Sequence, residues 1–272
     1  MTKKVLSYVV LLLLALFLLA PFGWMLFVSL HKSKSHIPDI AQIVPDKAHW
    51  ENYKTVLLSP EVPVFRFFLN SVFVCLAVVA GQLFVCSLAA YGFARLRFKG
   101  REWLFGAFLT SMMFAGTVTQ IPVFLLLRNL HWLDTYLALI VPGIGSAFGV
   151  FLLRQFFAAI PLELDEAARI DGANDWKIYS KLILPMSKAA LATLGAFAFI
   201  ATWTDFFWPL IATSSLEMRT LEVGLSIFKN SYAETNWPLQ MTAAVVTLIP
   251  VLVVFLALQR YFVKGVTLGS IK

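Results

Sequence analysis

Charge is scarce in this 272-residue chain. Lys, Arg, Asp and Glu together make up 14% of it, against about 25% in an ordinary soluble domain. That is too little to clothe a water-soluble globule of this length. Cysteine is scarcer still. Cys75 and Cys86 share one apolar stretch, and on a helix they would stand about 16 Å apart along the axis, beyond disulfide reach. A disulfide scaffold is therefore excluded, and with no His or Cys near them at ligand spacing both read as packing residues. The four histidines, His31, His36, His49 and His131, show no metal spacing such as HExxH. No GxxxxGK[ST] phosphate loop occurs, and no Ser/His/Asp or Cys/His grouping can be assembled, so the chain is not expected to hydrolyse ATP or to act as an enzyme. With 15% aromatic residues it is no disordered tail,, and its net charge of +7 has an explanation other than nucleic acid, given below.

What is there is apolar: 60% of the residues are hydrophobic and the mean hydropathy is +0.80. Runs long enough to cross about 30 Å of hydrocarbon as helices fall at about 5–30, 67–94, 103–127, 135–153, 189–213 and 240–262. This predicts an all-α integral membrane protein with six transmembrane helices. Lys3 and Lys4 precede the first run as in a secretory signal, but the run is too long and no small-residue cleavage site ends it. Basic residues in short loops stay on the cytoplasmic side. With the N-terminus inside, the inner segments hold Arg95, Arg97, Lys99, Arg101, Arg154, Arg169, Lys177, Lys181 and Lys188. The basic residues left outside are offset by acids such as Asp39, Asp46, Glu51 and Asp134. The expectation is one integral domain over 1–272, N-in and C-in, its positive excess a topology signal. The outer segment from 31 to about 64, broken by Pro38, Pro45, Pro60 and Pro63, is expected to be a lid or an interaction surface.

Residues 154–188 form a long inner loop patterned as two short helices. Pro161 suits a first helical turn, and Glu163, Asp165 and Glu166 lie where the helix dipole favours negative charge. Gly172 can take the left-handed conformation that ends a helix. Asn174 or Asp175 can cap a second one from Trp176 to about Leu182, which Pro185 then ends. In the first helix Leu164, Ala167 and Ala168 form a ridge of small side chains flanked by Glu166 and Arg169. Two readings stand: an interfacial helix resting on lipid headgroups, or a helix that docks in the groove of a cytosolic partner.

Glu166-Ala167-Ala168, then Gly172, then Leu182-x-Leu184-Pro185 resembles the EAA motif of ABC importer permeases, with Leu182 where that family usually has isoleucine. Ala89-Ala90-Tyr91-Gly92-Phe93-Ala94-Arg95, Leu133-Asp134-Thr135 and Gln259-Arg260-Tyr261-Phe262-Val263-Lys264-Gly265 are similar to the carbohydrate-uptake branch, the maltose-type G subunits. The resemblance covers about 20–272. It implies a type I ABC importer permease fold in which the loop docks on a separate ATPase through Leu164, Glu166, Ala167, Ala168, Arg169, Gly172, Leu184 and Pro185. It also implies a second homologous permease subunit, two copies of a cytosolic ATP-binding subunit that use ATP and Mg, and an extracytoplasmic sugar-binding protein. No cofactor of this chain's own and no nucleic acid are implied. A secondary transporter would need ion-coupling acids near the midplane, where only Asp205 is offered. A membrane scaffold would fit the docking loop but not its match to the motif.

Asp205 is the one charge in the fifth run, within Trp203-Thr204-Asp205-Phe206-Phe207-Trp208-Pro209. Trp203, Asp205, Phe206 and Trp208 are candidate substrate-pathway residues, a carboxylate for hydroxyls beside rings for apolar sugar faces. An aromatic belt around a snorkelling acid is the alternative. The family commonly shows an Asn-Glu pair where Thr204-Asp205 stands. Gln82, Gln120, Asn70 and Gln240 are expected to bond between helices, and Gly145 and Gly149 to allow close packing with a possible hinge.

Overall fold

The computed structural model describes residues 2–32, 45, 47–59, 62–114, 116–230 and 236–268. Among them every regular element is helical. Of the expected lid, residues 33–44, 46, 60 and 61 lie outside this set, Pro38 and Pro60 included.

The chain divides into two compact units, Met1–Phe68 with Thr220–Pro250, and Leu69–Arg219 with Val251–Lys272. In the first, helix α1 (Thr2–Ser29) leaves Val5 to Leu19 exposed almost without interruption, an apolar surface suited to lipid or to another membrane helix. Its last turn is anchored. The Ser29 carbonyl accepts from Asn52 Nδ2 at 2.8 Å and from Thr242 Oγ1 at 3.2 Å, which ties it to α2 (Glu51–Leu57) and to the start of α14 (Trp237–Leu268). The amphipathic helix α13 (Leu221–Asn230) buries Leu221, Val223 and Leu225 and lies so close to Phe67 that a Cβ on Gly224 would overlap the ring.

The second unit is built on α3 (Val64–Arg95). Around it stand α4 (Arg101–Ser111), α5 (Gly116–Asn129), α6 (Tyr136–Ile144), α7 (Ala147–Ala159), α8 (Leu162–Ile170), α9 (Asp175–Lys177), a π segment (Ile178–Ile183), α10 (Leu184–Met186), α11 (Lys188–Trp203) and α12 (Phe207–Ala212). Small residues let α3 approach its neighbours, as in other membrane helices. A Cβ on Gly81 would lie 2.7 Å from Ile144, one on Gly143 3.1 Å from Val78, and one on Gly149 3.0 Å from Leu194 and 3.1 Å from Cys86 Sγ. The expected Gly145 and Gly149 pair divides its two roles: Gly149 packs closely, whereas a Cβ on Gly145 would meet nothing within 4 Å and its extended backbone makes the hinge between α6 and α7. Ser146 then caps α7 by accepting from Gly149 N at 3.0 Å.

Among the described residues four helices are long and apolar enough to cross a bilayer, Lys4–Ser29, Val64–Arg95, Tyr136–Ala159 and Trp237–Ala257, or up to six if two bent pairs are each one span. Three runs expected to be single helices are broken. The run 103–127 divides between α4 and α5, where Thr110 and Ser111 hydroxyls bond back to Gly106 and Phe108 carbonyls, a habit that weakens and bends helices. The run 135–153 divides at Gly145. The run 189–213 stops at Trp203, because Thr204 turns its hydroxyl to the Ile200 carbonyl and Asp205 starts α12. The second short helix of the loop also differs. Pro185 does not end it: the π segment, closed by Leu184 N to the Tyr179 carbonyl, delivers the chain off the i→i−4 register that proline disrupts. The helix continues to Met186 and then bends by 78° into Lys188–Trp203.

Candidate functional site

Helix α8 follows directly on Pro161, which stands at its N-cap and not inside its first turn, carries Glu163 and Asp165 in that turn and Arg169 in its last, and so matches its own dipole at both ends. It closes in a Schellman motif. Ala173 N donates to the Ala168 carbonyl at 2.9 Å, Gly172 N to the Arg169 carbonyl at 3.0 Å, and Gly172 sits at φ +79°, the left-handed turn this motif requires. Asn174 Oδ1 then accepts from Lys177 N at 2.9 Å and caps the next helix, the first of the two caps the sequence offered.

The two faces of α8 are unlike. Glu163, Glu166, Ala167 and Ile170 are exposed, Ile170 by 87%, and their spacing places them on one stripe. Asp165 is buried on the other face, and Ala168 packs against a core of Tyr91, Leu153, Phe157, Ile178 and Tyr179. The expected ridge of Leu164, Ala167 and Ala168 is therefore split: the first two point out and Ala168 points in. Leu184 packs on the same core with Leu182, while Pro185 is exposed. Arg169 bonds to Asp175, so it does not serve Glu166, which makes no hydrogen bond or ion pair among the described residues.

Two residues the sequence reading did not assign hold this segment in place. Arg95, the last residue of α3, donates from Nη2 to the Phe157 and Ile160 carbonyls, each at 2.7 Å. Its Nε lies 3.6 Å from Asp165 Oδ2, with both side chains buried. Burial pushes the Asp165 carboxyl above the usual range; Arg95 and Arg169 pull it back without reversing the shift, and Asp175 adds to it,. Deeper in, the Tyr179 hydroxyl shares a 2.7 Å hydrogen bond with Ser87 Oγ of α3. At the same end Arg154 of α7 reaches Glu102 of α4 at 3.1 Å and covers the Phe105 ring at 3.9 Å.

A second feature lies within this unit. An open cavity of about 310 Å³ is lined by α3, α5, α6, α11, the turn before α12 and α12 itself, with Gln82, Thr119, Gln120, Thr202 and Asp205 as its polar lining and Val78, Leu139, Pro142 and Trp208 among its walls. Two of the four candidate pathway residues, Asp205 and Trp208, line it; Trp203 and Phe206 do not. Trp203 is buried and stacks on Phe199, and Phe206 is 40% exposed. Asp205 Oδ1 accepts from Trp208 N at 3.2 Å, so the acid is also the start signal of α12, and Trp208 Nε1 donates to the Ala138 carbonyl at 2.9 Å. Gln82 and Asn70 bond between elements as expected, Gln82 to the Gly143 carbonyl at 2.7 Å and Asn70 to the Glu217 and Arg219 carbonyls. Gln120 differs: its buried Oε1 has no partner among the described residues. An amide inside an apolar run was the available signal, and spacing alone does not say whether such an amide meets a helix or a cavity.

Residues 2–268 match the model of the family described as binding-protein-dependent transport system inner membrane component. The chain is similar to the trehalose/maltose transport system permease protein MalG of Thermococcus litoralis, 32% identical with 99% of this chain and 97% of that one covered. It is also similar to the sn-glycerol-3-phosphate transport system permease protein UgpE of Yersinia pestis, 36% identical over 82% of this chain and 81% of that one. These relatives are transport permeases and not enzymes. Among solved structures it resembles a chain of a bacterial ABC transporter involved in the import of the acidic polysaccharide alginate, with a TM-score of 0.83, 25% identity and 96% of each chain covered.

Proposed function

Since the chain belongs to the family of binding-protein-dependent transport system inner membrane components, we propose that it is the permease subunit of an ATP-driven importer that moves a saccharide through alternating access. It is a multi-pass inner-membrane protein. In this reading residues 1–272 form one membrane domain of six crossings, N-in and C-in, with each bent helix pair as one crossing. A homologous permease stands beside it, two copies of a cytosolic ATPase use ATP and Mg, and an extracytoplasmic binding protein delivers the solute. The chain itself carries no cofactor.

The two-faced helix α8 carries this proposal. A large apolar side chain such as Ile170 at 87% exposure is a poor solution for a loop in water and a good one for a helix seated in a partner's groove. Its inner face is tied to α3 and α7, so movement of the docked helix is passed to the apolar helices as a rigid-body shift. Glu166, with no partner of its own, is free to meet a basic group in the ATPase groove. The 310 Å³ cavity supplies hydroxyl, amide and carboxylate groups next to an indole, the chemistry that suits a polyol ring. A non-sugar solute is the second reading, supported by the similarity to the glycerol-phosphate permease.

Purification from the native membrane tests the assembly: an ATPase and a second permease should accompany the chain, and the reconstituted complex should take up saccharide only with ATP and the binding protein. A complex lacking any ATPase would sink the proposal. A cysteine in place of Ala167 should react only with reagents that reach the cytosol, and labelling from outside would invert the orientation.

A further inference from the structure

We propose that Arg95 is a positioning residue for transport, a brace across the α7–α8 joint that makes a push on α8 reach α3 and α7 together. The joint itself is weak. Only Ile160 and Pro161 separate the helices, both with extended ψ, 132° and 136°, so no helical hydrogen-bond ladder carries force from one to the other. Arg95 supplies the missing link from a third element. Its guanidinium holds the Phe157 and Ile160 carbonyls on one side of the joint, each at 2.7 Å, and faces Asp165 on the other at 3.6 Å. Its stem belongs to the end of α3. Only arginine carries several donors in a rigid fork of this kind; a lysine could satisfy one side of the joint but not brace both.

The contact does not read as a device for stability. Buried ion pairs often contribute nothing net to folding, and well-packed apolar residues can replace them at no loss. Here one Asp165 oxygen and the Arg95 Nε lack a hydrogen-bond partner among the described residues, and the carboxyl is held above its ordinary range by burial. The α8 helix already has an apolar seat through Ala168 on the Tyr91 and Tyr179 core. What the fork adds is direction, since it fixes α8 against two helices that its apolar contacts alone would let slide.

This inference rests on the reading that α8 receives the ATPase, and its test keeps the two apart. The full complex, with both permeases, ATPase and binding protein, is reconstituted in liposomes with Arg95→Gln, Arg95→Lys or Asp165→Asn. Each variant should assemble and hydrolyse ATP within about twofold of the parent, and Arg95→Gln and Asp165→Asn should lose about tenfold in solute taken up per ATP, a loss in the range of ordinary coupling energies. Arg95→Lys should recover part of the loss. Hydrogen–deuterium exchange of residues 162–170 should quicken in the same variants while that of α3 stays slow. If uptake and hydrolysis fall in equal proportion, or neither changes, the brace is refuted. If Arg95→Gln does not assemble, Asp165→Asn leaves the two carbonyl bonds in place and decides the matter alone. A parent complex with no ATP-driven uptake would refute the importer reading instead, and exchange at 162–170 would still judge the brace.

Discussion

Arg169 bonds to Asp175 across the Gly172 turn, and this pairing takes from Glu166 the neighbour three residues on that would otherwise neutralise it. Glu166 is exposed on the stripe that carries Ala167 and Ile170. An exposed helical pair of that spacing is worth only about 0.3 kcal/mol, so the fold loses little without it. A carboxylate offered to a basic groove is worth more, because one partner of a docked charge pair cannot be removed without leaving the other unpaired.

Glu166→Lys should therefore leave insertion and thermal stability unchanged while solute uptake falls about tenfold, within the range of coupling energies, with ATP hydrolysis no longer stimulated by loaded binding protein. Arg169→Ala should behave differently. It frees Asp175 and loosens the turn, and uptake should fall by about twofold or less, as expected for an exposed pair. Paired assays of uptake and ATPase activity in liposomes read both. Stimulated hydrolysis that survives Glu166→Lys would remove Glu166 from the docking surface.

Gly172 stands at φ +79° with nothing within 4 Å of where a Cβ would be, so a substitution there is penalised by backbone strain and not by crowding. Valine should cost about 1–2 kcal/mol in the left-handed region, enough to unwind the Schellman turn and shift the Asn174 cap. Asparagine, which tolerates this conformation, should be nearly silent. Uptake by the valine, asparagine and alanine variants should fall in the order of that strain; equal loss in all three would mean that the side chain, not the turn, is what the site cannot accept.

The α8 segment is legible in the sequence to the residue where local chemistry decides. Proline at its start, acids in its first turn, glycine at its end and asparagine as the next cap are signals read from neighbours one to four positions away, and each is found in the structure. Where the deciding contact is distant, the reading failed. Ala168 was grouped with Leu164 and Ala167 by spacing, but α3 and the π segment claim it. Arg95 reads in the sequence as a basic loop residue at the end of the Ala89–Arg95 stretch, since nothing local shows that a residue 70 positions upstream of Asp165 ends beside it. The apolar runs are legible by length alone and the break at Gly145 by its glycines, whereas the stop at Trp203 before Asp205 is not, because a polar cap inside an apolar run has the composition of a helix and the backbone of a turn.

Asp134 offers a test at the opposite pole of electrostatics from Asp165. It sits at φ +60°, and its Oδ1 accepts from Ser214 N at 2.9 Å and from Ser215 N and Oγ, each at 3.0 Å. Burial alone would raise its carboxyl, but these bonds outweigh it and hold the group below the usual range,. A lowered value in the folded state means stability that is complete above the unfolded value, about 3.9, and is lost as pH falls through the folded one. Asp134→Asn should flatten the acid limb of melting temperature against pH. Asp134→Ala should also lower stability near neutral pH, by about 1–2 kcal/mol for a half-exposed carboxylate with charged hydrogen bonds. An unchanged acid limb in Asp134→Asn would show that the tie does not depend on the charge.

Gln82 and Gln120 line the same cavity and differ in one respect that their replacement should expose. Gln82 spends its amide on the Gly143 carbonyl at 2.7 Å, where α3 and α6 are closest, whereas the buried Gln120 Oε1 has no partner among the described residues. Leucine at 82 orphans a buried carbonyl between two packed helices and should lower stability by about 1–3 kcal/mol, with the half-saturating solute concentration of the surviving protein little changed. Leucine at 120 removes an orphan oxygen, so stability should hold or rise. If the cavity lies on the solute path, that variant should lose about tenfold in apparent affinity with the maximal rate less affected, the signature of binding lost before the rate-limiting step. The two variants are measured side by side, by melting temperature in detergent and by uptake in liposomes. Stable, fully active Gln120→Leu would take the cavity off the solute's path and leave Gln120 as an unpaired group of the membrane interior.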